Sequence, residues 1–137
     1  MVPRGILSFR GKTVREAVLS ANRWLKATQT TCEVIGHSSL YDCPEGAQEG
    51  GVHLHHITVC YRNTTSAHLG MASCGMQFFT GEKPFEADRV AFDWVRRMKN
   101  SCAVIDRSSY FGIEKGGEGF HVITVRYKSA GLGAWFR

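Results

Sequence analysis

Hydrophobic positions along this chain follow two periods, which alternate in the order strand, helix, strand, strand. Short apolar runs precede Gly11 and Gly81 and predict a strand at each place. Apolar residues then return every three or four positions, first over 14–25 and later over 87–98, which predicts two amphipathic helices. Each helix is followed by two segments rich in β-branched and aromatic residues with a glycine-containing loop between them, which is typical of a hairpin.

The two halves of the chain repeat one another. Residues 9–41 align with residues 79–111 without a gap and with 11 identities in 33 positions, and the match continues from 55–61 onto 121–127 after a shift of four residues. The identical pairs of the longer stretch are Phe9/Phe79, Gly11/Gly81, Glu16/Glu86, Ala17/Ala87, Ala21/Ala91, Trp24/Trp94, Cys32/Cys102, Val34/Val104, Ile35/Ile105, Ser38/Ser108 and Ser39/Ser109. A repeat of this kind indicates that one structural unit is present twice.

Each half is therefore predicted to be a β-α-β-β unit. A right-handed crossover leaves the first and second strands of a unit parallel, and the third strand can pair between them, which gives the strand order 1-3-2. The predicted fold class is α+β: a tandem duplication of the β-α-β-β unit, with an antiparallel-rich sheet of about six strands and two helices packed on one face.

The whole chain, 1–137, is expected to be a single domain of two repeats. We assign 5–62 to the first repeat, 63–75 to a connecting segment, 76–128 to the second repeat and 129–137 to a C-terminal tail. The first five residues resemble the protease-site remnant of an expression vector, so they are given no function.

Composition excludes several classes of protein but does not define a function. With 43% hydrophobic and 21% charged residues the chain is typical of a globular protein, and no stretch approaches the roughly 20 apolar residues that cross a bilayer. An odd number of cysteines and the lack of a signal-peptide core predict reduced thiols, a cytoplasmic location and no membrane partner. The net charge of +5 is spread over both halves, so it permits a nucleic-acid partner without requiring one.

The order of elements resembles that of the dodecins, small bacterial flavin-binding proteins built on one β-α-β-β unit per chain. It is also similar to short bacterial proteins of unassigned role that carry a Trp-containing helix before a two-strand hairpin. The resemblance covers the two units, about 110 residues, and implies the fold. Dodecin-type flavin stacking uses a Trp on a strand, whereas Trp24 and Trp94 lie in predicted helices. The resemblance therefore implies no binding residues, and we expect no cofactor.

Histidines are the most suggestive chemical group in the sequence. Alternation along a strand places His53 and His55 on the face of Tyr61, and places His121 on the equivalent face of Tyr127. If a pseudo-two-fold axis relates the halves, His55 and His121 approach one another, and the five residues line a small-molecule site between the repeats. Three imidazoles would suit zinc or nickel, but no acidic or cysteine ligand lies at a recognised spacing, so no metal is predicted.

Neither the cysteines nor the serines indicate an enzyme. Cys32 and Cys102 repeat in register, but each stands where a small buried residue is expected after a helix. The Ser-Ser pairs at 38–39 and 108–109 lie on predicted strands and lack the sharp strand-to-helix turn of an esterase nucleophile. No catalytic residue is predicted.

The second half is more basic than the first near the end of its helix. Arg96, Arg97 and Lys99 lie there, and Arg107 lies on the following strand. Such a face can hold single-stranded nucleic acid through phosphate contacts, although cations also suit a helix C-terminus for electrostatic reasons alone.

The preferred interpretation is a cytoplasmic binding or assembly module without catalytic activity, which forms homo-oligomers through a sheet edge or an open sheet face. One alternative is a small-molecule or metal-binding protein with its site between the repeats, near His55 and His121. The other is a nucleic-acid-binding protein that uses the basic face of the second repeat.

Overall fold

A computed structural model describes residues 4–29, 31–42, 53–63, 74–113 and 119–129. Both hairpin loops, most of the connecting segment and nearly all of the C-terminal tail lie outside these residues. The elements are β1 (Arg4–Gly11), α1 (Val14–Thr28), β2 (Cys32–Asp42), β3 (Leu54–Asn63), β4 (Cys74–Gly81), α2 (Pro84–Arg97), β5 (Cys102–Ile113) and β6 (Gly119–Ser129).

Each repeat forms its own three-stranded antiparallel sheet. The order is β1-β3-β2 in the first sheet and β4-β6-β5 in the second. The α+β class, the duplicated unit and the 1-3-2 order are thus confirmed. The described strands do not join into the one continuous sheet that was predicted, because the two sheets contact through side chains and not through a shared backbone ladder.

Local sequence explains where the two helices begin. The Thr13 hydroxyl accepts a hydrogen bond from the Glu16 N–H at 3.2 Å, and the Glu16 carboxylate accepts one from the Lys12 N–H at 2.7 Å. In the second repeat Pro84 occupies the first turn, and the Glu86 carboxylate accepts from the Glu82 N–H at 3.1 Å. The duplicated Glu therefore serves the same capping purpose in both repeats.

A tryptophan of each helix packs between two aromatic rings of its own sheet. Large aromatic residues placed in this way hold a helix at a fixed position on a sheet. The ring centroids are 5.9 Å apart for Phe9 and Trp24, 5.2 Å for Trp24 and Tyr61, 5.6 Å for Phe79 and Trp94, and 5.4 Å for Trp94 and Tyr127.

The two faces of each sheet differ in what covers them. We call the face that carries the helix of the same repeat the helix side, and the opposite face the open side. Ile57 and Val59 lie on the helix side of the first sheet, in the core that α1 shares. Ile123 lies on the helix side of the second sheet, packed with α2, and its neighbours Val122 and Thr124 therefore lie on the open side.

The helix side of the first repeat packs against the open side of the second. The core around α1 includes Met76 and Val122 of the second repeat. Asn22 donates to the Met76 carbonyl at 3.1 Å and accepts from the Met76 N–H at 2.7 Å, so it satisfies the outer edge of β4. The two helices thus lie on opposite faces of the second sheet. The predicted placement of both helices on one face does not hold, because Val122 and Ile123 are successive strand residues that point to opposite faces.

Substitution of Gly11 tests how closely the first turn of α1 packs against the first sheet. A Cβ at Gly11 would lie 2.7 Å from the Ala17 backbone nitrogen and 2.9 Å from the Thr13 carbonyl oxygen, whereas one at Gly36 would meet nothing within 4 Å. We expect Gly11→Ala to lower the free energy of unfolding by about 1–3 kcal/mol, since backbone atoms must move. The matched control Gly36→Ala should change it by less than about 1 kcal/mol. Urea unfolding measures both; equal effects would contradict the packing described.

Candidate functional site

The structure does not bring His55 and His121 together. His55 is fully buried on the helix side of the first sheet, where its Nδ1 lies 2.7 Å from the Tyr110 hydroxyl and its ring stacks on Phe120. His121 lies on the helix side of the second sheet, beside the ring of Phe111. Because Phe120 and His121 are successive strand residues, the second sheet separates the two histidines. The expected pseudo-two-fold meeting fails because the repeats contact through unlike faces.

The other predicted ligand-binding residues are also divided between the repeats. His53 stays near His55, since Tyr41 hydrogen-bonds to the His53 Nδ1 at 2.5 Å and packs its ring edge against His55. Tyr61 and Tyr127 each pack against the Trp of their own helix, in separate repeats. Among the residues that the structure describes, no group of three or more His, Cys, Asp or Glu is placed to hold a metal ion.

The four predicted basic residues differ in their partners. Arg96 and Arg97 are exposed in the last turn of α2, and Lys99 is exposed just after it. Arg107 lies on the helix side of β5, where its guanidinium is 3.3 Å from a carboxylate oxygen of Asp88. Arg107 therefore forms a surface ion pair and is set apart from the three cations at the end of the helix.

The densest polar contact in the described residues lies between the repeats, and sequence reasoning did not predict it. We call it the inter-repeat cluster. Its members are His37 and Ser39 on β2, Asp106 and Ser108 on β5, and Thr124 and Arg126 on β6. The sequence does mark the two charged members as positions at which the halves differ. Asp106 aligns with Gly36, and Arg126 aligns with Cys60.

A β-bulge positions the acidic member of the cluster. The register of β5 shifts between Val104 and Asp106, and that of β2 shifts at the equivalent place. After the shift Asp106 lies directly across from Arg126 on the open side of the second sheet. Arg126 donates to both carboxylate oxygens, from Nε at 3.1 Å and from Nη2 at 2.7 Å. Its Nη1 donates to the Val34 carbonyl of the first repeat at 3.1 Å.

His37 extends the ion pair into the first repeat. Its Nδ1 lies 2.5 Å from Asp106 Oδ1, and because a carboxylate only accepts, Nδ1 carries the proton. Its Nε2 lies 3.1 Å from the Thr124 hydroxyl, which is 3.0 Å from the Ser39 hydroxyl. The Ser39 N–H donates to the Ser108 hydroxyl at 2.9 Å. Two backbone groups of the edge strand β2, the Ser39 N–H and the Val34 carbonyl, are thus satisfied by side chains of the other repeat.

Burial makes the charges of the cluster interdependent. The His37 side chain is 0% exposed, that of Arg126 is 5% exposed and that of Asp106 is 29% exposed. Partial burial by itself would raise the pKa of Asp106, but the hydrogen bonds and charge of Arg126 and the charge of His37 outweigh it and hold the pKa below its usual value. Asp106 is therefore ionised at neutral pH and balances the buried guanidinium.

The arrangement of Asp106, His37 and Thr124 has the connectivity of a carboxylate, imidazole and hydroxyl relay. The Thr124 side chain, however, is fully buried, so a substrate cannot reach its hydroxyl. The relay instead joins the two repeats. Burial also raises the pKa of the Cys102 thiol, which lowers its thiolate fraction at neutral pH.

A cleft of about 360 Å³ does lie between the repeats, beside the start of α1. Its walls combine one cation with two aromatic rings, and the Arg15 guanidinium lies 6.0 Å from the centre of the Phe78 ring. The lining residues are Thr13, Val14, Arg15, Phe78, Thr80 and Phe120, none of them among the five residues predicted to bind a small molecule. Small-molecule binding at His55 and His121 stays a prediction.

No family model, curated protein or solved structure matches this chain. The likeness to the dodecins remains a resemblance in the order of elements. Within the described ranges, neither helix is long and apolar enough to cross a membrane.

Removal of the Asp106 charge tests whether the cluster holds the repeats together. We expect Asp106→Asn to lower the free energy of unfolding by about 2–4 kcal/mol, because it leaves the Arg126 guanidinium buried without its counter-charge. Glu33→Gln is the matched control: Glu33 accepts from Arg62 at 2.9 Å, but both side chains are more than two-fifths exposed. That substitution should cost less than about 1 kcal/mol. Equal effects in urea unfolding would show that the cluster is no more important than a surface ion pair.

Acid should remove the same contribution from the wild-type protein. A carboxyl whose pKa is lower in the folded state stabilises the fold fully above its unfolded pKa of about 3.9, and the contribution is lost as pH falls through the folded value. The stability difference between wild type and Asp106→Asn should therefore be full at pH 6 and smaller at pH 3. Urea unfolding at the two pH values measures it, and a difference that stays constant would contradict the assigned ionisation.

Proposed function

We propose that this protein is a non-enzymatic assembly module, and that its binding surface is the helix side of the second repeat, formed by α2 and β5. The observation that supports the proposal is that the equivalent surface of the first repeat is covered by the other repeat. The described cysteines carry free thiols, which suits the cytoplasm as the place of assembly.

Comparison of the two helices locates the surface. α1 is covered on two sides and buries five residues: Val14, Ala17, Val18, Ala21 and Leu25. Among the described elements, α2 packs on its own sheet alone and buries two residues, Ala87 and Ala91. Val95 is the counterpart of the buried Leu25, yet it is exposed. The second repeat thus presents to solvent a surface of the kind that the first repeat buries.

The exposed surface is apolar where a contact would form. Phe85 and Phe92 lie on the outer side of α2 and are 60% and 63% exposed. Val104 and Phe111 are exposed on β5, and they are the counterparts of Val34 and Tyr41, which are half-buried in the first repeat. Exposed apolar residues that cluster in this way usually mark a site of protein contact.

The charges beside this surface favour a protein partner over nucleic acid. α2 carries Glu86, Asp88 and Asp93 as well as its arginines, and Asp88 neutralises Arg107. A face of mixed charge attracts phosphate weakly. Nucleic-acid binding through Arg96, Arg97 and Lys99 stays a prediction.

Substitution of Phe92 tests the proposal. We expect wild-type mass in sedimentation equilibrium to rise with protein concentration above the 15.2 kDa of one chain. Phe92→Asp should weaken the association by roughly tenfold or more, since it places a charge in the centre of the contact. Leu19→Asp is the matched control, because Leu19 is exposed on α1 but lies outside the proposed surface. A wild-type protein that stays a single chain at millimolar concentration, or equal losses in the two variants, would contradict the proposal.

A further inference from the structure

The contact between the two repeats joins two different surfaces, the helix side of the first and the open side of the second. A contact between unlike surfaces leaves one copy of each unused, and it can be repeated by another molecule. In the described part of the chain, the unused surfaces are the helix side of the second repeat and the open side of the first. They occupy the alignment positions of the two surfaces already joined inside the chain.

Three hydroxyl-bearing residues of the inner contact, Ser39, Ser108 and Thr124, have identical counterparts on the unused surfaces. Inside the chain Ser39 bonds to Ser108 through its N–H and to Thr124 through its hydroxyl. The counterpart of Ser39 on the unused helix side is Ser109, and it is exposed. The counterparts of Ser108 and Thr124 on the unused open side are Ser38 and Thr58. The residue types are identical at all three positions, so the same bonds can form between two molecules.

The apolar core of the inner contact is reproduced only in part, since Val18 and Val122 have Asp88 and His56 as their counterparts. In the inner contact the Asn22 side-chain amide of α1 bonds to the backbone of Met76 on β4. Their counterparts are Phe92 on α2 and Ile6 on β1, which at 63% and 71% exposed are the two most exposed large apolar side chains among the described residues. Leu40 of β2, the counterpart of the interfacial Tyr110, is exposed as well. The repeated geometry would bury Phe92 of one molecule against Ile6 of another.

The charged residues of the inner contact are not reproduced. The counterparts of Asp106, Arg126 and His37 are Gly36, Cys60 and Arg107, and Arg107 is paired with Asp88 on its own surface. A contact between molecules therefore lacks the buried ion pair of the inner contact. It should be weaker than the inner contact and reversible.

We propose that the partner of the helix side of the second repeat is the open side of the first repeat of another copy of this chain, so that molecules associate head to tail. This inference rests on the proposed function and adds the identity and orientation of the partner. Each molecule in such an assembly contributes one surface to each neighbour, and growth continues until the chain of molecules closes into a ring.

Mixing two variants tests the orientation. Ile6→Glu blocks the open side of the first repeat, and Phe92→Glu blocks the helix side of the second. Each variant alone should sediment as a single chain at concentrations where the wild type associates. An equimolar mixture should form a two-chain complex and nothing larger, because one intact pair of surfaces remains. Leu40→Glu and Phe85→Glu are second variants for the two surfaces, and circular dichroism with a thermal melt checks that each is folded.

The possible outcomes separate the two proposals. A two-chain complex in the mixture, absent from either variant alone, supports head-to-tail association. Association that survives Ile6→Glu and Leu40→Glu but is lost in Phe92→Glu overturns the head-to-tail inference and leaves the assembly surface in place. Association that survives all four substitutions, or a wild-type protein that never associates, overturns both.

Discussion

The architecture depends on one carboxylate, that of Asp106, which lies between a buried guanidinium and a buried imidazole. Arg126 cannot remain in the interface without a counter-charge, and the polar groups of His37 cannot remain there without partners, because both side chains are nearly inaccessible to water. Asp106 satisfies both at once. Arg126 also donates to the Val34 carbonyl of the first repeat. The guanidinium that Asp106 holds in place therefore determines how the second sheet lies over the first.

Polar side chains in the interface also protect two strand edges that would otherwise face water. Asn22 covers the backbone of β4 at Met76, and Ser108 with Arg126 covers the backbone of β2. An edge strand with unpaired backbone groups is a template for unwanted pairing. The chain therefore joins two small sheets without merging them, and it keeps the order of each unit unchanged. Because this contact joins unlike surfaces, the open side of the first repeat and the helix side of the second remain at the two ends of the molecule.

The sequence alone predicted the parts of the fold that depend on local periodicity. The duplicated unit and the strand order 1-3-2 follow from residues that each repeat supplies for itself. The contact between repeats could not be predicted in the same way, because its charged members occur where the halves differ. The misplaced pair of histidines has the same origin. Two residues at the same position of a repeat meet only when the repeats are related by a two-fold axis. Here unlike surfaces meet instead. His55 is therefore buried between the repeats, while His121 faces the opposite side of the second sheet.

The central claim is that the repeats form one cooperative unit through these unlike surfaces, and the backbone amide of Ser39 reports on it most directly. This amide lies on an edge strand and donates across the interface to the Ser108 hydroxyl. Native-state hydrogen exchange should therefore give it the same opening free energy as the amides of the central strand β3, since only global unfolding would release it. Exchange of the Ser39 amide at a much lower opening free energy, as for an edge strand open to water, would contradict the account.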